Sequence, residues 1–163
     1  MPGTPLPNPQ DVKEMLEMLL GRDVEIVTGA DMPSLNAPGG QVVGVFETDP
    51  YRKLIALWVS DLPLSAAIGA AIGLLPAGTA VEAAELGLTA VLADNVREAI
   101  NVAGSLLNAE GAPHVVLKDV YLPGDRLPAD VATLVSSYVP RHNLKVVVAN
   151  GYGEGVLSVV VRS

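Results

Sequence analysis

The chain has 163 residues, half of them apolar, which suits one folded domain with one core. Its net charge of −8 argues against a nucleic-acid binder and against attachment to an anionic membrane surface, because both need clustered cations. The absence of cysteine excludes disulfides, thiolate zinc sites and cysteine nucleophiles. The two histidines, His114 and His142, lack the spacing of metal ligands, so no metal site is predicted.

The N-terminal residues 1–10 are rich in proline, and we expect a flexible segment there, followed by a single domain over residues 11–163. This segment has neither a basic start nor an apolar run, so we do not expect a signal peptide. Asn8 before Pro9 is typical of a helix start. The apolar spacing that follows predicts a helix ending at Gly21.

Six later segments have the composition and apolar pattern of strands. They lie at residues 23–28, 41–48, 54–60, 113–121, 144–150 and 155–162. A turn at Asp49-Pro50 joins the second strand to the third, and Gly151-Tyr152-Gly153 joins the last two. These hairpins favour a largely antiparallel sheet.

Three further helices are predicted between the strands, at residues 64–75, 79–108 and 128–138. Thr79 is the expected N-cap of the middle one, with Glu82 completing a capping box and a possible break near Gly87. The element order therefore predicts an α+β domain, in which a largely antiparallel sheet of about six strands carries long helices packed on it.

An uncharged stretch from Leu62 to Val81 has about the length of a membrane span. Pro63 and Pro76 interrupt it, however, and it consists mainly of alanine and glycine, which favour insertion less than Leu, Ile, Phe and Val do. We therefore expect a buried helix and no membrane insertion.

The helix predicted to end near residue 108 carries a polar stripe. At 100° per residue, the stripe residues fall within an arc of roughly 80°. They are Asp94, Glu98, Asn101, Ser105 and Asn108. Most such stripes are solvated faces, but this one contains two Asn and a Ser, which are poor helix formers, and no Lys follows Glu98 at i+4. Periodicity alone leaves a solvated face and a functional face both open.

Three residues of this stripe and a later proline follow a specific spacing, which distinguishes the stripe from an ordinary one. Asp94 is followed after three residues by Glu98, after two more by Asn101, and after a further twenty-one by Pro123. The pattern resembles the signature of the CheC/CheX/FliY chemotaxis phosphatases: Asp or Ser, three residues, Glu, two residues, Asn, twenty-one or twenty-two residues, Pro. The resemblance in element order extends from about Gln10 to the end of the sequence, and it implies a CheC-like fold.

This resemblance implies a phosphatase that removes the phosphoryl group from the aspartyl phosphate of a response-regulator receiver domain, typically CheY. Asn101 would orient the attacking water, and Glu98 would dock the receiver by pairing with its lysine. Asp94 and Pro123 would have supporting roles. The Mg²⁺ would belong to the receiver, with no cofactor in this chain. A single Glu-x-x-Asn pair resembles CheX more than CheC or FliY, and implies a cytoplasmic homodimer.

Two alternatives remain on the same fold. A non-catalytic module that binds a receiver or a flagellar protein is one, because the segment around Asn101 is less glycine-rich than is usual in the family. A structural homodimer without a phosphorylated partner is the other, since the apolar helices and valine-rich strands would permit it. Ser105 and Asn108 match no motif position, and we expect them to be rim contacts or plain surface.

Overall fold

The computed structural model describes residues 3–162 of the chain, and within them the elements follow the predicted order closely. The helices are α1 (Pro9–Leu20), α2 (Leu62–Ile72), α3 (Ala77–Leu86), α4 (Ala90–Ala103) and α5 (Ala129–Val135), with a 3₁₀ turn at Gly104–Leu107. The strands are β1 (Val24–Thr28), β2 (Gln41–Asp49), β3 (Leu54–Asp61), β4 (His114–Tyr121), β5 (Arg141–Val148) and β6 (Gly153–Val161).

The N-terminal boundary follows from local capping. Asn8 is the N-cap of α1 and its side chain accepts a hydrogen bond from the Asp11 amide, while Gly21 ends the helix in the left-handed conformation. Residues 1–2 of the predicted flexible segment and residue 163 lie outside the described residues. The flexibility of residues 1–10, and the domain boundary drawn there, stay predictions.

Within residues 3–162 the strands form one six-stranded sheet in the order β1-β5-β6-β3-β2-β4, and every pairing is antiparallel. Both predicted hairpins are present, β2 with β3 and β5 with β6. Three further pairings join strands distant in the sequence: β1 with β5, β3 with β6, and β2 with β4. The prediction of an α+β fold with a largely antiparallel sheet of about six strands is confirmed.

Helices cover both faces of the sheet. Successive side chains of a strand point to opposite faces, and in β2 and β3 both sets are apolar and need a covering layer. One face packs against α1 to α4 and contributes Phe46, Trp58 and Leu157 to a large core. The other face contributes Val43, Val45, Leu57 and Val59 to a smaller core beneath α5. The polar stripe lies on the helices of the first face.

Helix α2 fills the centre of the larger core. Nearly all of its side chains are buried, so the first part of the uncharged stretch, Leu62–Ile72, is a buried helix as predicted. The rest of the stretch, up to Val81, is a turn with an exposed Leu74 and the first half of α3, in which Val81 is exposed. No helix within residues 3–162 is long and apolar enough to cross a membrane. Asp61 caps α2: one carboxylate oxygen accepts from the Leu64 amide at 3.0 Å and the other from the Val156 amide at 2.9 Å.

The long helix predicted over residues 79–108 is two helices, and its predicted N-cap is wrong. Helix α3 begins at Ala77, directly after Pro76, so Thr79 lies inside its first turn. Gly87, at a φ of 107°, separates α3 from α4, as anticipated for a break at that residue. Thr89 is the N-cap of α4, since its hydroxyl accepts from the Leu92 amide.

Candidate functional site

Helix α4 carries the polar stripe, and two glycines allow it to lie close to its neighbours. A Cβ on Gly44 of β2 would lie 2.5 Å from Cγ2 of Ile100, and one on Gly69 of α2 would lie 2.8 Å from the Leu92 carbonyl oxygen. Both distances are shorter than any normal contact, so only glycine fits at either position. Ile100, deeply buried, fixes the height of the next residue, Asn101, above the sheet.

Glu98 and Asn101 lie one turn apart on the outer face of α4, and both side chains are exposed. Among residues 3–162, no cation pairs with the Glu98 carboxylate, and no hydrogen bond involves the side-chain amide of Asn101. The site therefore presents an unpaired carboxylate and a free amide together at the surface. A carboxylate can accept hydrogen bonds from a cation, and an amide can accept and donate at once.

Asp94 lies on the same face, one turn before Glu98, and forms an ion pair with Arg97. Its Oδ1 is 3.0 Å from Nη1 of Arg97; the Asp94 side chain is largely exposed and that of Arg97 about half exposed. Such a pair contributes at most about 1 kcal/mol in solvent. The pair also sets the direction of the Arg97 side chain. Its guanidinium points toward Asp94, near the N-terminus of α4, and therefore away from Asn101, which lies one turn later in the helix.

Pro123 lies in the turn after β4, and it packs against the loop before β2. A Cβ on Gly40 would lie 3.1 Å from the Cβ of Pro123. In the same turn the Asp125 carboxylate accepts from the Leu122 amide at 2.8 Å. These contacts explain the shape of the turn, whereas a role of Pro123 in the site stays a prediction.

The last two residues of the predicted stripe are not on α4, because the helix ends at Ala103 and the chain continues as a 3₁₀ turn. The Ser105 hydroxyl is exposed and donates to the Val102 carbonyl. Asn108 is not plain surface: its Oδ1 accepts from the Val115 amide at 2.9 Å, and its Nδ2 donates to the Val115 carbonyl at 3.2 Å. Asn108 therefore holds the start of β4 beside the 3₁₀ turn.

One residue that positions the site lies outside the predicted stripe. Asn95 lies outside the stripe, and its Nδ2 donates to the Gly69 carbonyl at 2.9 Å, linking α4 to α2. An asparagine directed toward the apolar side of a helix was the available signal, since such a residue usually needs a buried partner. Within residues 3–162 no three His, Asp or Glu side chains are grouped as metal ligands.

No protein-family model and no curated protein sequence matches the chain. Solved structures match it at low identity. A chain of the FliM-SpeE complex from H. pylori has a TM-score of 0.60 at 8% identity, covering 93% of this chain and 80% of that one. FliY from Thermotoga maritima has 0.58 at 21% identity, covering 91% and 81%. The FliM middle domain from H. pylori has 0.54 at 10%, covering 93% and 83%.

These likenesses concern the fold, which this chain shares with FliY and the FliM middle domain; FliY is one of the proteins whose motif the sequence resembles. At such identities they carry no information about activity. Any functional conclusion therefore depends on the side chains of α4.

Proposed function

We propose that this chain is a CheX-like phosphatase that hydrolyses the aspartyl phosphate of a CheY-like receiver domain. The observation that carries the proposal is the joint exposure of Glu98 and Asn101 on one face of α4, at the spacing of the phosphatase motif. Burial of either side chain would have excluded this function, because both must reach into a partner protein.

In the proposed reaction, Asn101 enters the receiver active site beside the phosphorylated aspartate. Its Oδ1 accepts a hydrogen bond from a water molecule, and its Nδ2 donates toward the phosphoryl oxygens. The oriented water forms a bond to phosphorus as the bond to the aspartate carboxylate oxygen breaks, releasing inorganic phosphate. Aspartate would be unsuitable at this position, because its carboxylate cannot donate and would repel the phosphoryl group. Mg²⁺ held by the receiver would neutralise charge on those oxygens.

Glu98 docks the receiver in this proposal. Its carboxylate is exposed and has no cation partner among the described residues, so it is available for a charge-assisted hydrogen bond to the receiver lysine. The Asp94–Arg97 pair is compatible with this role, because Arg97, which precedes Glu98 in the sequence, pairs with Asp94 and not with Glu98. We further propose that the protein acts as a homodimer in the cytoplasm, as its single Glu-x-x-Asn pair suggests.

A dephosphorylation assay tests the proposal. Receivers from the same genome are phosphorylated with a small phosphodonor and Mg²⁺, and phosphate release is followed with and without this protein. We expect Asn101→Ala to reduce the rate by about a hundredfold or more, since the positioned water is lost, while receiver binding is kept. Glu98→Ala should mainly raise KM. Ser105→Ala, an exposed neighbour, is the matched control. Full activity in both Asn101→Ala and Glu98→Ala would refute the assignment.

A non-catalytic module that binds a receiver or a flagellar protein is the second candidate. The fold likeness to FliM favours it, as does the segment Val102-Ala103-Gly104 after Asn101, which is less glycine-rich than usual in the family. Receiver binding that depends on Glu98 without any gain in phosphate release would support this module. A structural homodimer would bind none of the receivers.

A further inference from the structure

A cavity of about 300 Å³ lies on the face of the sheet that α5 covers, which is the face opposite α4. Its walls come from the loop before β2, the start of β2, the turn after β4 and helix α5. The volume is at the lower end of the range for small-molecule sites, so it suits a small ligand.

Gln41, the first residue of β2, lines this cavity and is only 8% exposed. Alternate residues of a strand share one face, so Gln41 lies in one row with Val43 and Val45, which belong to the core beneath α5. Its Nε2 donates to the Ser34 carbonyl at 3.2 Å. Its Oε1 is buried without a hydrogen-bond partner among residues 3–162. A buried acceptor of this kind usually has a partner, so the lone Oε1 points to a ligand.

Asp125, in the turn after β4, is the only charged residue among the described residues that line the cavity. It is exposed and therefore lies at the mouth, whereas Gln41 and Val43 are buried and form the inner wall. One of its carboxylate oxygens accepts from the Leu122 amide, and no cation pairs with it within residues 3–162. The cavity thus has a neutral acceptor inside and a negative one at its mouth.

The remaining side chains around the cavity are apolar, among them Val43, Leu122 and Leu127. A water molecule beside Gln41 would find few of the polar partners that buried water needs. A Ca²⁺ or Mg²⁺ ion would need more oxygen ligands, and within residues 3–162 no three acidic side chains are grouped as ligands. An organic cation fits better, because its head group only donates and its stem packs on apolar walls.

We propose that this cavity binds a small organic cation, an alkyl guanidinium with a short apolar stem. A guanidinium has five N–H donors in a planar fork and is weakly hydrated, so it can donate to Oε1 of Gln41 while Asp125 compensates its charge. The stem contacts Val43 and Leu127. The proposal does not rest on the proposed function, because the cavity and the α4 site lie on opposite faces of the sheet.

An NMR titration of the ¹⁵N-labelled protein with butylguanidinium tests the site. We expect a dissociation constant of about 1 mM, typical of so small a ligand. The side-chain NH₂ signals of Gln41 and the backbone amide signals of Val43 and Leu127 should shift together and saturate. Butanol, which has the same stem without a charge, should bind at least about tenfold more weakly, and butyrate should not bind.

Two variants with matched controls identify the groups that bind. Gln41→Met keeps the side-chain shape and removes both polar atoms, so butylguanidinium should bind at least about tenfold more weakly. Gln10→Met makes the same change at an exposed glutamine of α1 and should bind like the parent protein. Asp125→Asn removes the charge at the mouth and should weaken binding about fivefold. Asp119→Asn, at an exposed position of β4, is its control.

Three results would overturn the site: no saturable shift in the parent protein, butanol bound as tightly as butylguanidinium, or unchanged binding in both Gln41→Met and Asp125→Asn. If Gln41→Met does not fold, Asp125→Asn decides alone, because its exposed side chain leaves the core intact. Weaker binding by that variant then supports the site, and unchanged binding overturns it. Receiver dephosphorylation is measured separately, so failure of this site leaves the proposed function standing.

Discussion

Three asparagines around α4 have three different roles, although their side chains are chemically identical. Asn95 is directed toward α2 and links the two helices, and Asn108 holds the start of β4. The side-chain amide of Asn101, which is exposed, has no hydrogen-bond partner within residues 3–162. Contacts, rather than residue type, therefore distinguish the residue proposed to act on a substrate from those that support the fold.

Asn108 should contribute measurably to stability. We expect Asn108→Ala to lower the free energy of unfolding by about 1–2 kcal/mol, because both backbone groups of Val115 lose their partner. Urea unfolding gives this difference directly. Ser105→Ala, three residues earlier in the 3₁₀ turn, is the matched control and should stay within about 0.5 kcal/mol of the parent protein. Equal effects of the two changes would contradict this account.

Helical periodicity correctly predicts which stripe residues share one exposed face, but only up to the end of α4. Asp94, Glu98 and Asn101 are exposed on one face because α4 has 3.6 residues per turn through Ala103. The following 3₁₀ turn has three residues per turn, so the helical projection no longer applies to Asn108. The local signal for this change is Gly104, the C-cap of α4, because glycine commonly ends an α-helix.

The position of α4 on the sheet depends on residues of other elements. Gly44 lies beneath Ile100, and Gly69 faces Leu92, so two glycines set how closely the helix approaches β2 and α2. The hydrogen bond from Asn95 to the Gly69 carbonyl fixes the same contact. The height of Asn101 above the sheet is consequently determined by residues that never meet a substrate.

Gly44→Ala tests this dependence. The added methyl group overlaps Ile100, so we expect a loss of about 1–3 kcal/mol in the free energy of unfolding. The proposed phosphatase activity should fall as well, because Asn101 moves with Ile100. Gly78→Ala in α3 is the matched control: nothing lies within 4 Å of its added Cβ, so stability should rise by about 0.5–1 kcal/mol. Wild-type stability in Gly44→Ala would contradict the close contact.

Capping signals predicted the helices better than they predicted the helix ends. The Thr79-x-x-Glu82 pattern fits a capping box, yet Pro76 already supplies the extended conformation from which α3 begins at Ala77. Thr89 caps α4 without a glutamate at the third position. Thr79 does not act as an N-cap, because α3 already begins at Ala77. Thr89 does, because the break at Gly87 lets a second helix begin after it.

At the scale of the whole molecule, Asp61 joins distant parts of the fold. It ends β3, caps α2 through the Leu64 amide and accepts from the Val156 amide of β6. Burial raises the pKa of its carboxyl above the usual 3.8, while the two backbone hydrogen bonds act in the opposite direction. The folded state therefore holds this proton more tightly than the unfolded state does.

This shift predicts how stability varies with pH. A raised pKa in the folded state stabilises the protein most below pH 3.8, and the contribution is lost as pH rises through the folded pKa. Asp61→Ser keeps an acceptor for the Leu64 amide but does not titrate. The stability of the parent protein relative to this variant should decrease as pH rises from 3.8. If the parent protein instead becomes more stable relative to Asp61→Ser as pH rises, this prediction is wrong. Asp125→Ser, which makes the same change in net charge, is the control.

The sequence predicts the strands themselves but not their order in the sheet. Short turns revealed the β2–β3 and β5–β6 hairpins, because their sequence signals are local. The placement of β1 beside β5, of β3 beside β6 and of β2 beside β4 depends on core packing between segments far apart in the sequence. No local pattern records such a pairing.

The pairing of β1 with β5 has a consequence for synthesis on the ribosome. Val24–Thr28 emerges early, yet its only strand partner within the described residues is Arg141–Val148. The chain must therefore carry an unpaired, valine-containing strand through most of its translation, with β6 still to follow. Long-range pairing of this kind slows folding and exposes strand edges to aggregation. Nascent chains of this protein should consequently need protection by chaperones until the last strands have left the exit tunnel.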